Sequence, residues 1–429
     1  MGERRGKSKF KKNVTWVFIG NAFHAVLQFL LNVLAARVLS KHDYGLINYS
    51  ISLVALFNSV STLGFSGVIS KKFAESEDLG GAFLLSAFLS RIVISIPFTI
   101  TIMIIGFAHS PDDSNFHCIL LCQSLSLIFS AGDIFVYWFR YKYKASTVAI
   151  TRLIAFGIMS IWRLIALYLF ESTILYTFCT VFETALLSCF LIFIYIKQKQ
   201  PKLRFDFNLL KSMLGVSYPF IFSAILATVY GQTDKLMLES MVSTEAVAYY
   251  SVSLTLASAI SILPSALIEG FRPEIFVQKE NSEENYRRRL AQLYGIVFWV
   301  CVMYCLFITV FAKNIILLLY GEKYLPAVGS LSLIVWYTSF SYFGAINNIY
   351  MIAEKKTKWV QITTLIGALL NISLNTLLIP HLGIYGAALA SLITQIVTNF
   401  FVLYLIKPLR DNFFIAIKGI SFFYWIRKQ

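Results

Sequence analysis

Residues 82–107 read AFLLSAFLSRIVISIPFTITIMIIGF, a run of 26 positions in which the single charged side chain is Arg91. At 1.5 Å per residue such a helix is about 39 Å long, more than the roughly 30 Å of hydrocarbon in a bilayer. Arg91 lies nine residues in, too deep to snorkel with ease. A charge there costs about 2.5–3.5 kcal/mol on insertion scales unless protein or water receives it. The stretch therefore reads as a membrane span with a reason to keep its arginine.

Working outward, runs of this kind recur along the whole chain. Twelve are expected: Thr15–Leu39, Leu46–Ser70, Ala82–Phe107, Phe116–Phe139, Val148–Phe170, Ile174–Ile196, Leu210–Tyr230, Val247–Ile268, Leu290–Phe311, Val328–Ile352, Val360–Ile379 and Tyr385–Ile406. The first is long and lacks a cleavage site, so it is read as a retained span and not a signal peptide. Composition agrees. Of 429 residues, 58% are hydrophobic and 14% charged, with mean hydropathy +0.70, whereas an average globular chain carries about 25% charged residues.

The formal net charge of +15 is explained by its distribution. With alternate loops assigned to opposite sides, 29 of the 37 Lys and Arg fall on the side of the amino terminus. Four (Lys41, Lys235, Lys313 and Lys323) fall opposite, and Arg37, Arg91, Arg152 and Arg163 lie in or at the ends of spans. Lys/Arg excess marks the cytoplasmic side, so both termini are expected there. Anionic lipid accounts for the positive charge, and no nucleic acid is required. The six cysteines all lie in or beside apolar runs and read as packed or lipid-facing thiols, with no zinc site.

The basic, Pro201-containing loop from Lys197 to Lys211 divides the spans six and six. The expected organisation is an amino-terminal six-helix lobe (1–200), a carboxy-terminal six-helix lobe (201–408) and a cytoplasmic tail with an interfacial helix (409–429). One local echo links the halves. Tyr44-Gly45-Leu46-Ile47-Asn48-Tyr49-Ser50-Ile51-Ser52-Leu53 aligns with Glu245-Ala246-Val247-Ala248-Tyr249-Tyr250-Ser251-Val252-Ser253-Leu254, each opening the second span of its half. The fold class is thus an all-α integral membrane protein, two bundles related by a pseudo-two-fold axis along the membrane normal, commonly with a substrate cavity between them.

Enzyme chemistry has no foothold. Gly6-Lys7-Ser8 lacks the earlier glycine and the strand of a phosphate-binding loop, and no HExxH or DxD spacing occurs. Four deep charges remain: Arg91, Asp133, Arg163 and Glu183. They suggest a wet path for something anionic. Arg163 lies about 22 Å along span five from its cytoplasmic end, at a depth matching Glu183 in span six. The pair reads either as a structural salt bridge or as a switchable one, opened by an anionic substrate or by protonation of Glu183. Arg91 is expected to line the cavity. Arg152, one turn inside, is read mainly as snorkelling and secondarily as part of the cationic cavity. Asp133 is a counter-ion or proton carrier, and His24 a hydrogen-bonded interior residue or relay. Asp234 and Lys235 form an outer gate or a plain interfacial pair. Gly215 and Pro219 are expected to interrupt span seven as a hinge, with Pro97 and Pro264 interrupting spans three and eight.

Several stretches together resemble a known family. Gln232-Thr233-Asp234-Lys235-Leu236-Met237-Leu238, Leu319-Tyr320-Gly321-Glu322-Lys323-Tyr324-Leu325-Pro326-Ala327, and Asn371, Leu374, Asn375, Ile379-Pro380, Gly383, Gly386 and Ala387-Ala388 carry the likeness. Ala35-Ala36-Arg37-Val38-Leu39, Tyr44-Gly45 and Leu63-Gly64 extend it towards the amino terminus. The chain resembles the Wzx-type O-antigen flippases of the multidrug/oligosaccharidyl-lipid/polysaccharide exporter superfamily.

That resemblance implies a V-shaped MATE-like pair of bundles in a bacterial inner membrane. It implies export of an undecaprenyl-diphosphate-linked oligosaccharide to the periplasmic leaflet by ion-coupled alternating access. It further implies a monomer without cofactors, working beside a polysaccharide polymerase and a chain-length regulator. The short tail favours the O-unit or exopolysaccharide branch over the lipid II flippases, which usually carry two more spans. A cation-coupled multidrug extruder is the alternative, although acidic cavities suit cationic drugs better. A glycan polymerase or ligase is disfavoured by the short outer loops.

Overall fold

The computed structural model describes residue 20, residues 22–198 and residues 200–421. The Gly6-Lys7-Ser8 motif, the start of the first expected span and the end of the tail lie outside the described residues. All regular structure among the described residues is helical, and the chain divides into two compact units, Met1–Thr228 and Val229–Gln429. The division falls inside a helix, beyond the 197–211 connection that sequence reading used as the boundary.

The first unit contains α1 (Ala22–Val38), α2 (Lys41–Ser61), α3 (Ile69–Glu75), α4 (Gly80–His109), α5 (Ser114–Phe129), α6 (Ile134–Tyr141), α7 (Ala145–Tyr168), α8 (Thr173–Lys197) and the first part of α9 (Phe207–Met241). The second holds the rest of α9, then α10 (Thr244–Ser258), α11 (Ile262–Asn281), α12 (Glu283–Tyr320), α13 (Ala327–Ala353), α14 (Lys358–Leu382), α15 (Ile384–Ile396), α16 (Val402–Leu405) and α17 (Arg410–Ile420). Among the described residues nine helices or helix pairs are long and apolar enough to cross a membrane, and the bent pair α2–α3 makes ten. The shorter α1 and the more polar α13 coincide with the first and tenth expected spans. That these two also cross the membrane, for a total of twelve, is a proposal.

Lipid is written on the surface. Val93, Ile104, Met303 and Val310 are 62–73% exposed, an arrangement that water would penalise and acyl chains welcome. The interior seams are lined instead by serine and threonine, whose hydroxyls either donate to their own helix one turn back or cross to a neighbour, as in Ser61–Ser95 at 2.7 Å and Ser253–Ser330 at 2.9 Å. Small hydroxyl-bearing residues let helices approach closely where no hydrophobic force drives them together. One end of the first unit is closed by aromatics: Phe73 meets Trp138 edge-on at 5.0 Å, and Tyr195 packs on the same indole.

The internal echo has a structural counterpart. Aligned positions 46/247, 47/248, 49/250, 50/251 and 52/253 are buried in both copies. Each copy starts at a serine N-cap, Ser40 or Ser243, and each helix breaks soon after. The first break bends α2 against α3 by 51° at Leu63 and Gly64, both left-handed. A Cβ on Gly64 would fall 2.7 Å from Ser217 O and 2.9 Å from Ile221 N, so only glycine fits against α9 there. The second break is the 3-10 turn Ala259–Ser261, just before Pro264. Pro264 cannot donate to the carbonyl four residues earlier, which explains its position. Pro97 and Pro219 behave differently: α4 and α9 run on through them, and through Gly215, without a break.

Span four is also broken, by the 3-10 turn Ser130–Asp133 between α5 and α6. The last span contains a π-turn over Val397–Phe401, closed by Val402 N–H donating to Val397 O. The segment from Phe271 to Arg289 is helical on both sides of Ser282. It is laced by Lys279–Glu283 (2.7 Å), Arg287–Glu283 (2.8 Å) and Arg289–Glu274 (2.7 Å). The tail helix α17 docks on α12: Asn412 is fully buried, and Gly419 lies so close to Ala291 O that a Cβ would sit at 2.2 Å. Its other face leaves Phe414 and Ile417 exposed, and we propose that this face meets the membrane interface.

The glycines of the family-like stretch have a plain role. Gly383 ends α14 at φ +54°, and a Cβ on Gly386 would stand 2.4 Å from Leu378 O. Backbone cannot yield as a flexible side chain can. Gly386→Ala is therefore expected to destabilise the second unit by about 1–3 kcal/mol, read as a lower melting temperature of the purified protein; an unchanged melt would refute the close approach.

Candidate functional site

The deep charges of the first unit form a connected set. Arg152 and Arg163 stand eleven residues apart on α7, about three turns, and so share one face. Phe156 lies on that face between them. The His24 ring packs on Phe156 with centroids 4.2 Å apart, and the Arg163 guanidinium lies 5.8 Å from the same ring. Arg163 Nη2 reaches Glu183 Oε2 at 2.9 Å. The expected ion pair is therefore present. Only four residues, 169–172, join α7 to α8, and this tight turn brings the two depths together.

Burial makes the pair asymmetric. The Arg163 side chain is 8% exposed and that of Glu183 is 22%. Arg163 Nη1 is buried with no hydrogen-bond partner. Glu183, Arg152 and Arg163 all lie close enough to His24 to act on its charge. The sequence weighed His24 as a hydrogen-bonded interior residue; in the structure it is an aromatic neighbour within a charge cluster.

Arg91 has a different setting. It is 4% exposed, and its Nη1 and Nη2 point at Ala131 O and Ser130 Oγ, both at a long 3.5 Å. Those atoms belong to the 3-10 turn that breaks span four, so Arg91 faces backbone that the helix has released. Its Nε is buried without a partner. Asp133 closes the same turn, with Arg91, Arg152 and Arg140 as its charged neighbours. Arg152 thus lies between the Asp133 and His24 groups. The set holds Arg91, Arg152 and Arg163 against Asp133 and Glu183, and with Arg140 also beside Asp133 the guanidinium groups outnumber the carboxylates.

In the second unit Asp234 is 5% exposed, which is no place for an interfacial residue. Its Oδ1 accepts from Asn375 Nδ2 at 2.7 Å and Asn371 Nδ2 at 3.3 Å. Its Oδ2 accepts from Ser391 Oγ at 2.6 Å and from the Tyr250 hydroxyl. Helices α9, α10, α14 and α15 all converge on one carboxylate. Four donors thus satisfy both oxygens of the carboxylate. Lys235, the next residue, is half-buried; an outer-gate role for the pair is a proposal.

A second buried network was not anticipated. The Tyr294 hydroxyl lies 2.6 Å from Asn347 Oδ1 and 3.1 Å from Asn412 Oδ1, while Asn347 Nδ2 reaches Asn399 Oδ1 at 3.3 Å. It ties α17 to α12, α13 and the π-turn. The available signal was the same in both networks: an asparagine inside an apolar run, doubled at i, i+4 in Asn371 and Asn375. Among the described residues no group of three or more His, Cys, Asp or Glu could hold a metal ion.

Comparison with known proteins places the molecule. The family described as Polysaccharide biosynthesis protein matches residues 10–269, more than half of the chain. The chain belongs to that family. A MatE family match overlaps it over residues 219–377. This polysaccharide biosynthesis protein is 22% identical over 408 residues to the capsular polysaccharide biosynthesis protein CapF of Staphylococcus aureus, covering 90% of this chain and 96% of the relative.

Its fold matches the lipid II flippase MurJ in an inward closed conformation with a TM-score of 0.73 at 20% identity, over 96% of this chain and 93% of that one. It also matches an inward-facing multidrug resistance MATE family transporter of the MOP superfamily with a TM-score of 0.71 at 13% identity, over 91% and 94%. The molecule is a multi-pass membrane protein, and the structures its fold matches are those of a flippase and a transporter.

Proposed function

We propose that the protein flips an undecaprenyl-diphosphate-linked oligosaccharide repeat unit, a precursor of O-antigen or related surface polysaccharide. The unit moves from the cytoplasmic to the periplasmic leaflet of a bacterial inner membrane by alternating access, with both termini of the protein cytoplasmic. The observation that carries this reading is Arg163. Its buried guanidinium pairs with Glu183 on one nitrogen and keeps another without an acceptor, inside a set with net positive charge.

The chemistry follows from that arrangement. A sugar–diphosphate head cannot enter hydrocarbon bare, whereas its polyprenyl tail can remain there. The Arg163 fork can take a phosphate or carboxylate oxygen on its free side, and doing so competes with Glu183. Release of Glu183, or its protonation, would couple binding to a change of state. Arg152, three turns along the same face, offers a second contact, and Arg91 a third at the break in span four. Direction must come from a gradient or from removal of product, because binding alone shifts only populations.

A second reading has support of its own, since the MatE family match and the MATE-like fold belong equally to extruders of drugs. A deletion strain separates the two. Loss of surface polysaccharide, with lipid-linked single units stranded in the cytoplasmic leaflet, is the expected result. Drug hypersensitivity with a normal surface glycan would replace the flippase reading by the extruder, and units that cross without chaining would indicate a polymerase.

A further inference from the structure

One cavity of the second unit is unlike the rest of the molecule. It holds about 240 Å³ and is lined by α9, α13, α14, α15 and the π-turn, with Tyr230, Ser341, Thr363, Thr364, Gln395 and Thr398 on its walls. A cavity of about 150 Å³ accommodates benzene, so this one has room for a six-membered ring carrying substituents. Gly344 and Gly367 form part of the lining. A Cβ on either would approach Asn399 Oδ1 at 3.0 Å or Thr398 Cγ2 at 3.2 Å. Asn348 is exposed and marks the mouth.

The lining is polar but carries no charge, and this decides the ligand class. Without a basic side chain, a phosphate or uronate would be desolvated with no counter-charge. Without an acidic one, an organic cation would fare no better. The Asp234 carboxylate, one turn along α9 from Tyr230, has both oxygens already engaged. Ser341, Thr363, Thr364 and Thr398 donate their protons to carbonyls of their own helices at 2.6–2.9 Å, leaving oxygen lone pairs for a visitor.

Donors are present too. Gln395 accepts from Asn399 Nδ2 through its Oε1 at 2.6 Å, which leaves its NH2 group to donate. The buried Tyr230 hydroxyl makes no well-formed hydrogen bond, Thr398 being near enough only for a weak one. A wall rich in acceptors with a few amide and phenol donors matches a ring bearing several hydroxyls.

We propose that this cavity binds an uncharged sugar residue of the transported oligosaccharide. The proposal rests on the lipid-linked oligosaccharide reading for its substrate, but its test does not depend on transport. Purified full-length protein in nanodiscs is titrated with di-N-acetylchitobiose, using saturation-transfer NMR to detect weak binding. Glucuronic acid and tetraphenylphosphonium serve as competitors.

Saturable binding of the neutral disaccharide is expected, unaffected by either competitor. Thr364→Leu should weaken it at least tenfold, while Thr364→Ser, which keeps the hydroxyl, retains it. Should Thr364→Leu not fold, Asn348→Leu at the exposed mouth carries the same expectation. No saturable signal, an equal signal in the leucine variants, or displacement by the acid or the cation would each overturn the proposal. Sugar binding in a protein whose deletion causes only drug hypersensitivity would keep the cavity and remove the lipid-linked reading.

Discussion

Arg163→Ala is expected to abolish export of surface polysaccharide, whereas Arg152→Ala reduces it only partly. The substitution leaves Glu183 without its ion-pair partner. Breaking a buried pair in this way costs about 3–5 kcal/mol, so a drop in the amount of folded protein is expected as well. The double variant Arg163→Ala/Glu183→Ala separates stability from function. With both charges gone the seam is neutral and the folded protein should recover. If Arg163 receives the anionic head group, export remains absent although the protein is restored. If the pair is only a bolt between α7 and α8, export returns with the fold. The measurement is surface polysaccharide per unit of membrane-inserted protein, and recovery of both together would remove Arg163 from the site.

Asp234→Ala is expected to unfold the second unit. It strands the Asn371, Asn375, Ser391 and Tyr250 donors, which all converge on that carboxylate. Leaving a buried donor unsatisfied costs about 1–3 kcal/mol. Even with rearrangement among the four, the loss is on the order of 4 kcal/mol or more, a large fraction of the margin by which most domains are stable. Asp234→Asn keeps the shape but replaces one acceptor with a donor facing other donors, so it should destabilise less than alanine and more than a surface change. Thermal unfolding of the purified variants checks the order. A wild-type melt for Asp234→Ala would mean that the helices close without this centre.

The spans were legible because bilayer thickness imposes a length that a sequence can be read against. Every expected span with described residues coincides with a helix or a helix pair. The Arg163–Glu183 pair was legible for a related reason: a short turn between antiparallel helices equates depth with position along the chain. What escaped was anything decided by side-to-side packing. Asp234 sits seven residues before the end of α9, whereas the span expected from sequence ends at Tyr230. Only the convergence of α10, α14 and α15 makes it interior. Around Arg91, nothing in residues 116–139 announces that span four opens into a 3-10 turn at Ser130, the backbone that the guanidinium faces. Proline was a poor guide to breaks: Pro264 adjoins one, while Pro97 and Pro219 lie within continuous helices.

The π-turn at Val397–Phe401 accommodates one residue more than an α-helix would place in the same rise. A relative lacking a single residue there would rotate everything downstream in α16 by about 100°. The α17 helix that follows, held by Asn412 on Asn347 and Tyr294, would lose its register with the bundle. A one-position gap at this point in an alignment of relatives is therefore a change of helical phase, and it should sort homologues into those whose tail is latched to the bundle and those whose tail is not.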